Sequence, residues 1–179
     1  MGQSQNQLIY QIALTLIPGV GDVTAKNLIS YCGSVEGIFK QKKAHLLKIP
    51  DVGNVTANSI VNHSVFKRAE EEVEFIEKNN IQSYFYLDED YPTRLKHCMD
   101  APLLLFGDGN LNLNPARSVA IVGTRNATDY GKEITQQFVN ELKQFDVTVI
   151  SGLAYGIDVS AHKACVDQNI PTIGVLAHG

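Results

Sequence analysis

Three short apolar runs near the end of the chain constrain the fold most. They are Ser118-Val-Ala-Ile-Val-Gly-Thr-Arg125, Val147-Thr-Val-Ile-Ser-Gly-Leu-Ala-Tyr-Gly-Ile-Asp158 and Pro171-Thr-Ile-Gly-Val-Leu-Ala-His-Gly179, with helical apolar spacing between them. Strand, loop and helix repeated in this way predict a parallel sheet. The glycine-bearing loops then gather at its carboxyl edge, where ligands bind in such sheets. Val119–Val122 reads as a strand buried on both faces. Thr128 or Asp129 can cap the next helix, whose apolar stripe is Ile134, Phe138, Leu142 and Phe145. Val147–Ile150 is the second strand. Asp158 is the expected N-cap of a short helix with Ala161, Ala164 and Cys165 inward, and Ile173–Leu176 is the third strand.

An internal repeat organises the other end. Leu16-Ile-Pro-Gly-Val-Gly-Asp-Val-Thr-Ala25 realigns with Lys48-Ile-Pro-Asp-Val-Gly-Asn-Val-Thr-Ala57 at a constant offset of 32 residues. Each copy reads as helix, tight Pro-Gly turn, helix. The copies resemble the helix–hairpin–helix family. Ile17-Pro-Gly-Val-Gly21 fits its signature, and Ile49-Pro-Asp-Val-Gly53 departs by Asp51. In that family the hairpin amides and the following helix N-terminus hold a DNA phosphate, as unpaired N–H groups and the helix dipole favour. Gly19, Gly21 and Lys26 are accordingly a secondary candidate DNA contact. Asp51, a carboxylate in the second hairpin, and Asp22, just past the first, both oppose phosphate. The bland alternative is that both hairpins serve packing only.

The expected boundaries are a small helical domain over 1–63, a connecting helix and joining segment over 64–110, and the first part of a Rossmann-like α/β domain over 111–179. In the middle section Phe66, Ala69, Val73 and Ile76 recur at helical spacing, with Glu70, Glu71, Glu72, Glu74 and Glu77 around them, as in a solvated connecting helix. Residues 81–109 turn β-like. Tyr84, Phe85, Tyr86 and Tyr91 read as covering the flank of the sheet rather than stacking on bases.

Composition excludes several classes. No window approaches the ~18 apolar residues of a membrane-spanning helix, and the first residues lack a secretory signal's basic flank. Three scattered cysteines without a Cys-x-x-Cys predict neither a disulfide scaffold nor a zinc site and fit a reducing, cytoplasmic setting. Net charge is −4; residues 1–62 sum to +2, 63–109 to −5 and 110–179 to −1. DNA binding must then come from placed groups rather than bulk attraction.

The loops narrow the chemistry. Gly123-Thr-Arg-Asn-Ala-Thr128 is neither a dinucleotide fingerprint nor a Walker loop, so no nucleotide cofactor and no metal are expected. Gly123, Gly152 and Gly156 read as places where backbone approaches a ligand. Thr124, Thr128 and Ser151 supply hydroxyls, Tyr155 a ring, and Arg125 a permanently charged fork suited to phosphate. Such a crevice suits one flexible phosphodiester chain. His162 and His178 read as structural or incidental, Cys165 as a core thiol, and His45, His63 and His97 show no ligand spacing. No catalytic residue is expected.

Val122-Gly-Thr-Arg-Asn-Ala-Thr128, Tyr130-Gly131, Ser151-Gly-Leu-Ala-Tyr-Gly-Ile-Asp158, Ala161-His162 and Thr172-Ile-Gly-Val-Leu176 resemble the DNA-processing protein A (DprA, or Smf) family, as do Tyr91-Pro92, Asp100-Ala-Pro102 and Gly107 before them. The resemblance implies a non-enzymatic protein that protects incoming single-stranded DNA in natural transformation, passes it to the RecA recombinase and acts as a homodimer. The family's usual loops read Gly-Ser-Arg and Ser-Gly-Leu-Ala-Arg-Gly-Ile-Asp; here Thr124 keeps the hydroxyl and Tyr155 removes a cation. The family continues well past Leu176, so the chain reads as truncated within its Rossmann-like domain, with an open sheet edge and exposed apolar surface. Two alternatives stand beside this reading. One is a Rossmann-like nucleotide or phosphoribosyl hydrolase, for which no phosphate loop or paired acid and base is visible. The other is a duplex or junction binder led by the repeat.

Overall fold

A computed structural model describes residues 5–177; His178 and Gly179 lie outside the described residues. The chain divides into two compact units, Met1–Leu113 and Asn114–Gly179.

The first unit holds α1 (Gln5–Thr15), α2 (Asp22–Cys32), α3 (Val35–Phe39), α4 (Lys43–Leu46), α5 (Asn54–Val61), α6 (Phe66–Lys78), β1 (Gln82–Phe85), α7 (Thr93–Lys96) and β2 (Leu104–Gly107). The repeat is real in three dimensions. Val20 N–H donates to Ile17 O at 3.1 Å, and Val52 N–H to Ile49 O at 3.2 Å. Ala25 N–H donates to Gly21 O at 2.8 Å, and Ala57 N–H to Gly53 O at 3.0 Å. Gly19 turns the first hairpin at φ 82°, and Asp51 adopts φ 62° at the matching place. Aspartate is among the few residues that visit this region without great cost. Leu14, Ile17, Leu28, Leu46, Ile49 and Ile60 from both copies share one core.

The helix read as a solvated connection is instead packed. Ala69, Val73 and Ile76 of α6 lie against Leu8, Ile12 and Ala13 of α1, while its glutamates face water. His63 sits edge-on between the Phe39 and Phe66 rings, each at 5.0 Å. β1 and β2 pair antiparallel, Tyr84 opposite Leu105. Phe85 and Leu103 enter the helical core, and Tyr91, buried to 1% exposure, donates from its hydroxyl to Pro102 O at 2.6 Å. These aromatics therefore pack within the first unit.

The second unit is β3 (Ser118–Ala120), α8 (Asp129–Leu142), β4 (Thr148–Gly152), α9 (Ile157–Gln168) and β5 (Thr172–Val175). The strands lie side by side in chain order, all parallel, with Ala120 beside Ile150 and Ile150 beside Ile173. An unreversed order puts right-handed crossovers on one side, and α8 packs against α9. Val119, Ile121 and Val149 meet Val139, Leu142 and Cys165 there.

Two expectations fail for this reason. The first strand is not buried on both faces, since Ala120 is exposed and Val122 is 78% exposed. The α8 stripe is turned by one position: Thr135, Val139 and Leu142 point inward, whereas Ile134, Phe138 and Phe145 are exposed. An open hollow of about 410 Å³ lies at the opposite end of β3 from the glycine loops, lined by Arg117, Val119 and Phe145.

Candidate nucleic-acid interface

The two glycine loops meet by their own backbones. Ile157 N–H donates to Thr124 O at 3.2 Å. Gly156, at φ 92°, lies so close to the other loop that an added Cβ would overlap Thr124 O and sit 2.5 Å from Arg125 O. Gly123 and Gly156 allow this closure, and Gly152 allows the close approach of Asp158. A Cβ at Gly123 would stand 2.6 Å from Ile157 Cβ, and one at Gly152 would stand 2.6 Å from Asp158 Oδ2. Among the described residues the three strands lie in sequence order, and the two loops are joined by their own backbone contact.

Ser151 is turned into the sheet. Its side chain is buried and its hydroxyl donates to Ile121 O at 2.6 Å, tying β4 to β3. The α9 N-terminus is also internally engaged, because Val159 N–H donates to Ala154 O at 3.3 Å and Ile157 N–H to Thr124 O. Asp158 is not the N-cap. That position is Gly156, and Asp158 is buried in the first turn, its Oδ1 without a hydrogen-bond partner among the described residues.

The remaining groups face water. Thr124 Oγ1 accepts from Asn126 N–H at 3.2 Å, and Thr128 caps α8 by accepting from Gly131 N–H at 3.1 Å. Both hydroxyls keep a proton to donate. Tyr155 is 84% exposed. Arg125 is exposed, and its guanidinium forms no hydrogen bond or ion pair with another described residue. Asp129, at the start of α8, is held by Lys132 at 3.1 Å. Tyr130, 73% exposed in the first turn of α8, is an aromatic that sequence reading left out of the site. Its signal was the ring directly after the Thr-Asp cap.

His162 is structural. Gly152 O only accepts, so the Nε2 that faces it at 2.8 Å carries the proton. Nδ1 faces the Thr172 hydroxyl at 2.8 Å, which also reaches Val149 O at 3.0 Å. Burial pushes the Cys165 thiol up, as expected of a core cysteine. Cys32, Cys98 and Cys165 are free thiols, and no described cluster of His, Cys, Asp and Glu is fit for a metal. No described helix is long and apolar enough to cross a membrane.

In the first unit Lys26 has a use of its own. Its ammonium donates to Ala101 O at 2.5 Å and Met99 O at 3.3 Å and lies 5.9 Å from the centre of the Tyr86 ring. Asp22 Oδ1 accepts from Leu103 N–H at 2.7 Å. One turn of α2 thus grips residues 99–103, beside the hairpin of Gly19 and Gly21.

Residues 82–179 match the family model of DNA recombination-mediator protein A, and residues 11–73 match a helix-hairpin-helix motif model. The chain is 30% identical to Protein Smf of Synechocystis over 98% of its own length and 45% of that protein's. It is 40% identical to DNA processing protein DprA of Bacillus subtilis over 51% of its own length and 31% of that protein's. The fold matches an X-ray structure of DprA from Streptococcus pneumoniae with a TM-score of 0.69 and 24% identity, over all of this chain and 59% of that one. The chain therefore spans less than two thirds of these relatives.

Proposed function

This chain belongs to the DNA recombination-mediator protein A family, and we propose that it binds single-stranded DNA by the sugar-phosphate backbone and leaves the strand chemically unchanged. One observation carries the reading. Arg125, exposed and without a partner among the described residues, sits on a loop whose backbone is pinned to the loop bearing the exposed Tyr155 ring. A guanidinium fork is matched to phosphate, and an exposed ring offers a face to an unstacked base. The Thr124 and Thr128 hydroxyls add donors nearby. A site of this kind reads no sequence. It favours a single strand, whose bases are free to stack. A mediator gives up its strand to a recombinase; we take that acceptor to be RecA and the working form to be a homodimer, both as the family resemblance implies.

Arg125→Glu tests the reading by fluorescence anisotropy on a labelled single strand. Loss of one charge-assisted contact, worth about 1.5–3 kcal/mol, weakens binding at least roughly 10-fold. Unchanged affinity removes the loop site.

A further inference from the structure

Four of the fifteen Lys and Arg residues fall within nine positions, Lys40, Lys42, Lys43 and Lys48, in a chain of net charge −4. They occupy the segment between α3 and the second hairpin. Lys40 follows α3, Lys42 precedes α4, Lys43 lies within it, and Lys48 comes directly before Ile49-Pro-Asp51. Lys40, Lys42 and Lys48 are exposed and Lys43 is half-buried. Lys40 is answered by Glu36 at 2.5 Å. Lys42, Lys43 and Lys48 form no side-chain hydrogen bond or ion pair with a described residue.

Lys67, Lys78, Lys96, Arg117, Arg125 and Lys163 are likewise unpaired among the described residues, and what distinguishes these three is that they fall within seven positions of one another, while other cations are engaged. Lys26 is taken by two carbonyls, Arg68 by Glu71 and Glu72, and Lys132 by Asp129. Between Ser34 and Val65 the only carboxylates are Glu36 and Asp51. α5, packed against α3 and α4, presents Asn54 and Asn58 and no acid. Like charges held together repel and oppose the compact state; a bound polyanion reverses the sign of that effect.

We propose that Lys42, Lys43 and Lys48 form a second nucleic-acid contact, which holds backbone phosphates by charge and belongs to the first unit, whereas the Arg125 loop belongs to the second. The proposal rests on the reading that this chain binds single-stranded DNA. A lipid surface fits less well, because α4 is a single turn of four residues and offers no apolar helical face to insert. Long flexible ammonium groups suit spaced phosphates without base readout. The placement reverses what the hairpin signatures suggest. The hairpin with the complete signature is flanked by its own chain's 99–103 segment, and the one that departs from it lies beside the lysines.

The test is a salt titration of the 179-residue chain on a labelled single strand, with the variants Lys42→Gln/Lys43→Gln/Lys48→Gln and the milder Lys42→Gln/Lys48→Gln, which alters only exposed side chains. Each phosphate contact contributes about 0.7 to the slope of log K against log salt on single strands, so the triple variant should be shallower by about 2 and the double by about 1.4. Between about 50 and 200 mM salt the parent then loses roughly 15- to 20-fold more affinity than the triple variant. A slope unchanged in the double variant overturns the proposal. So does a loss confined to phosphatidylserine vesicles, which would assign the patch to lipid. Arg125→Glu is measured in parallel. Lysine variants that flatten the slope while Arg125→Glu has no effect keep the patch and remove the loop site; the opposite pattern keeps the loop site and removes the patch. If the parent binds no single strand, the same slopes are read on a duplex, where equal slopes or no binding overturn the patch.

Discussion

The two hairpins of the first unit share a backbone and differ in what surrounds them. The backbone hydrogen bonds Ile17 to Leu14, Val20 to Ile17 and Ala25 to Gly21 recur 32 residues later in the second. Yet Asp22 and Lys26, on the helix after the first hairpin, hold the 99–103 segment, while their counterparts Asn54 and Asn58 are exposed with no side-chain hydrogen bond among the described residues. The duplicated motif has thus divided its work. Backbone geometry is kept in both copies because the shared core of Leu14, Ile17, Ile49 and Ile60 needs it. Surface chemistry is free to diverge. A signature match therefore identifies a shape, and only the neighbours decide what the shape is for.

The largest expected contrast comes from removing the side chains that differ. Asp22→Ala takes away the acceptor of the part-buried Leu103 N–H and should cost about 1–3 kcal/mol, whereas Asn54→Ala should stay within about 0.5 kcal/mol. Urea unfolding of both variants measures the difference, and equal losses would break the contrast. The next is a pH effect peculiar to the first hairpin. Burial first, then the Asp22 carboxylate and the Cys98 thiol, push the Tyr91 phenol from its usual 10 to about 12. The fold favours the protonated phenol, so this stability is whole below pH 10 and is lost as pH rises from about 10 to 12. Thermal melts across that window should fall less steeply for Tyr91→Phe than for the parent. The smallest contrast is in the turn itself. Gly19→Ala places a Cβ at φ 82° with no close clash, Thr56 Oγ1 being 3.7 Å away. It should cost about 1 kcal/mol from backbone strain alone. Asp51→Gly relieves a like strain but frees the unfolded chain, so denaturant midpoints should shift by less than about 0.5 kcal/mol either way.

What could be read from sequence was local. The three strands, the two hairpins, the Thr128 cap and the inward Cys165 each depend on residues within a turn or two. What could not be read depended on partners far along the chain. Leu103 lies 81 residues from Asp22, and Ala101 lies 75 from Lys26. The α8 stripe failed because Ile134-Phe138 and Thr135-Val139 have the same helical spacing, and only the one-sided sheet chooses between them. The glycines at 123, 152 and 156 were read only in part, for a related reason. Missing side chains signal a close approach without saying by what, and here Ile157, Asp158 and two carbonyls fill the space. Arg125 and Tyr155 were readable as candidates because an unshielded cation and ring on short loops have little else to do. Ser151 was read as a candidate in the same way, but the inward turn of its hydroxyl to Ile121 O depends on a strand 30 residues away.

The contact of Gly156 with the carbonyls of residues 124 and 125 has a genetic consequence. Position 156 holds the backbone of the loop that carries Arg125, so under the proposed function a search for defective alleles should recover changes there that mimic loss of the charge itself. Over evolutionary drift the two loops should change as one inheritance unit, and a lesion in either will report on both.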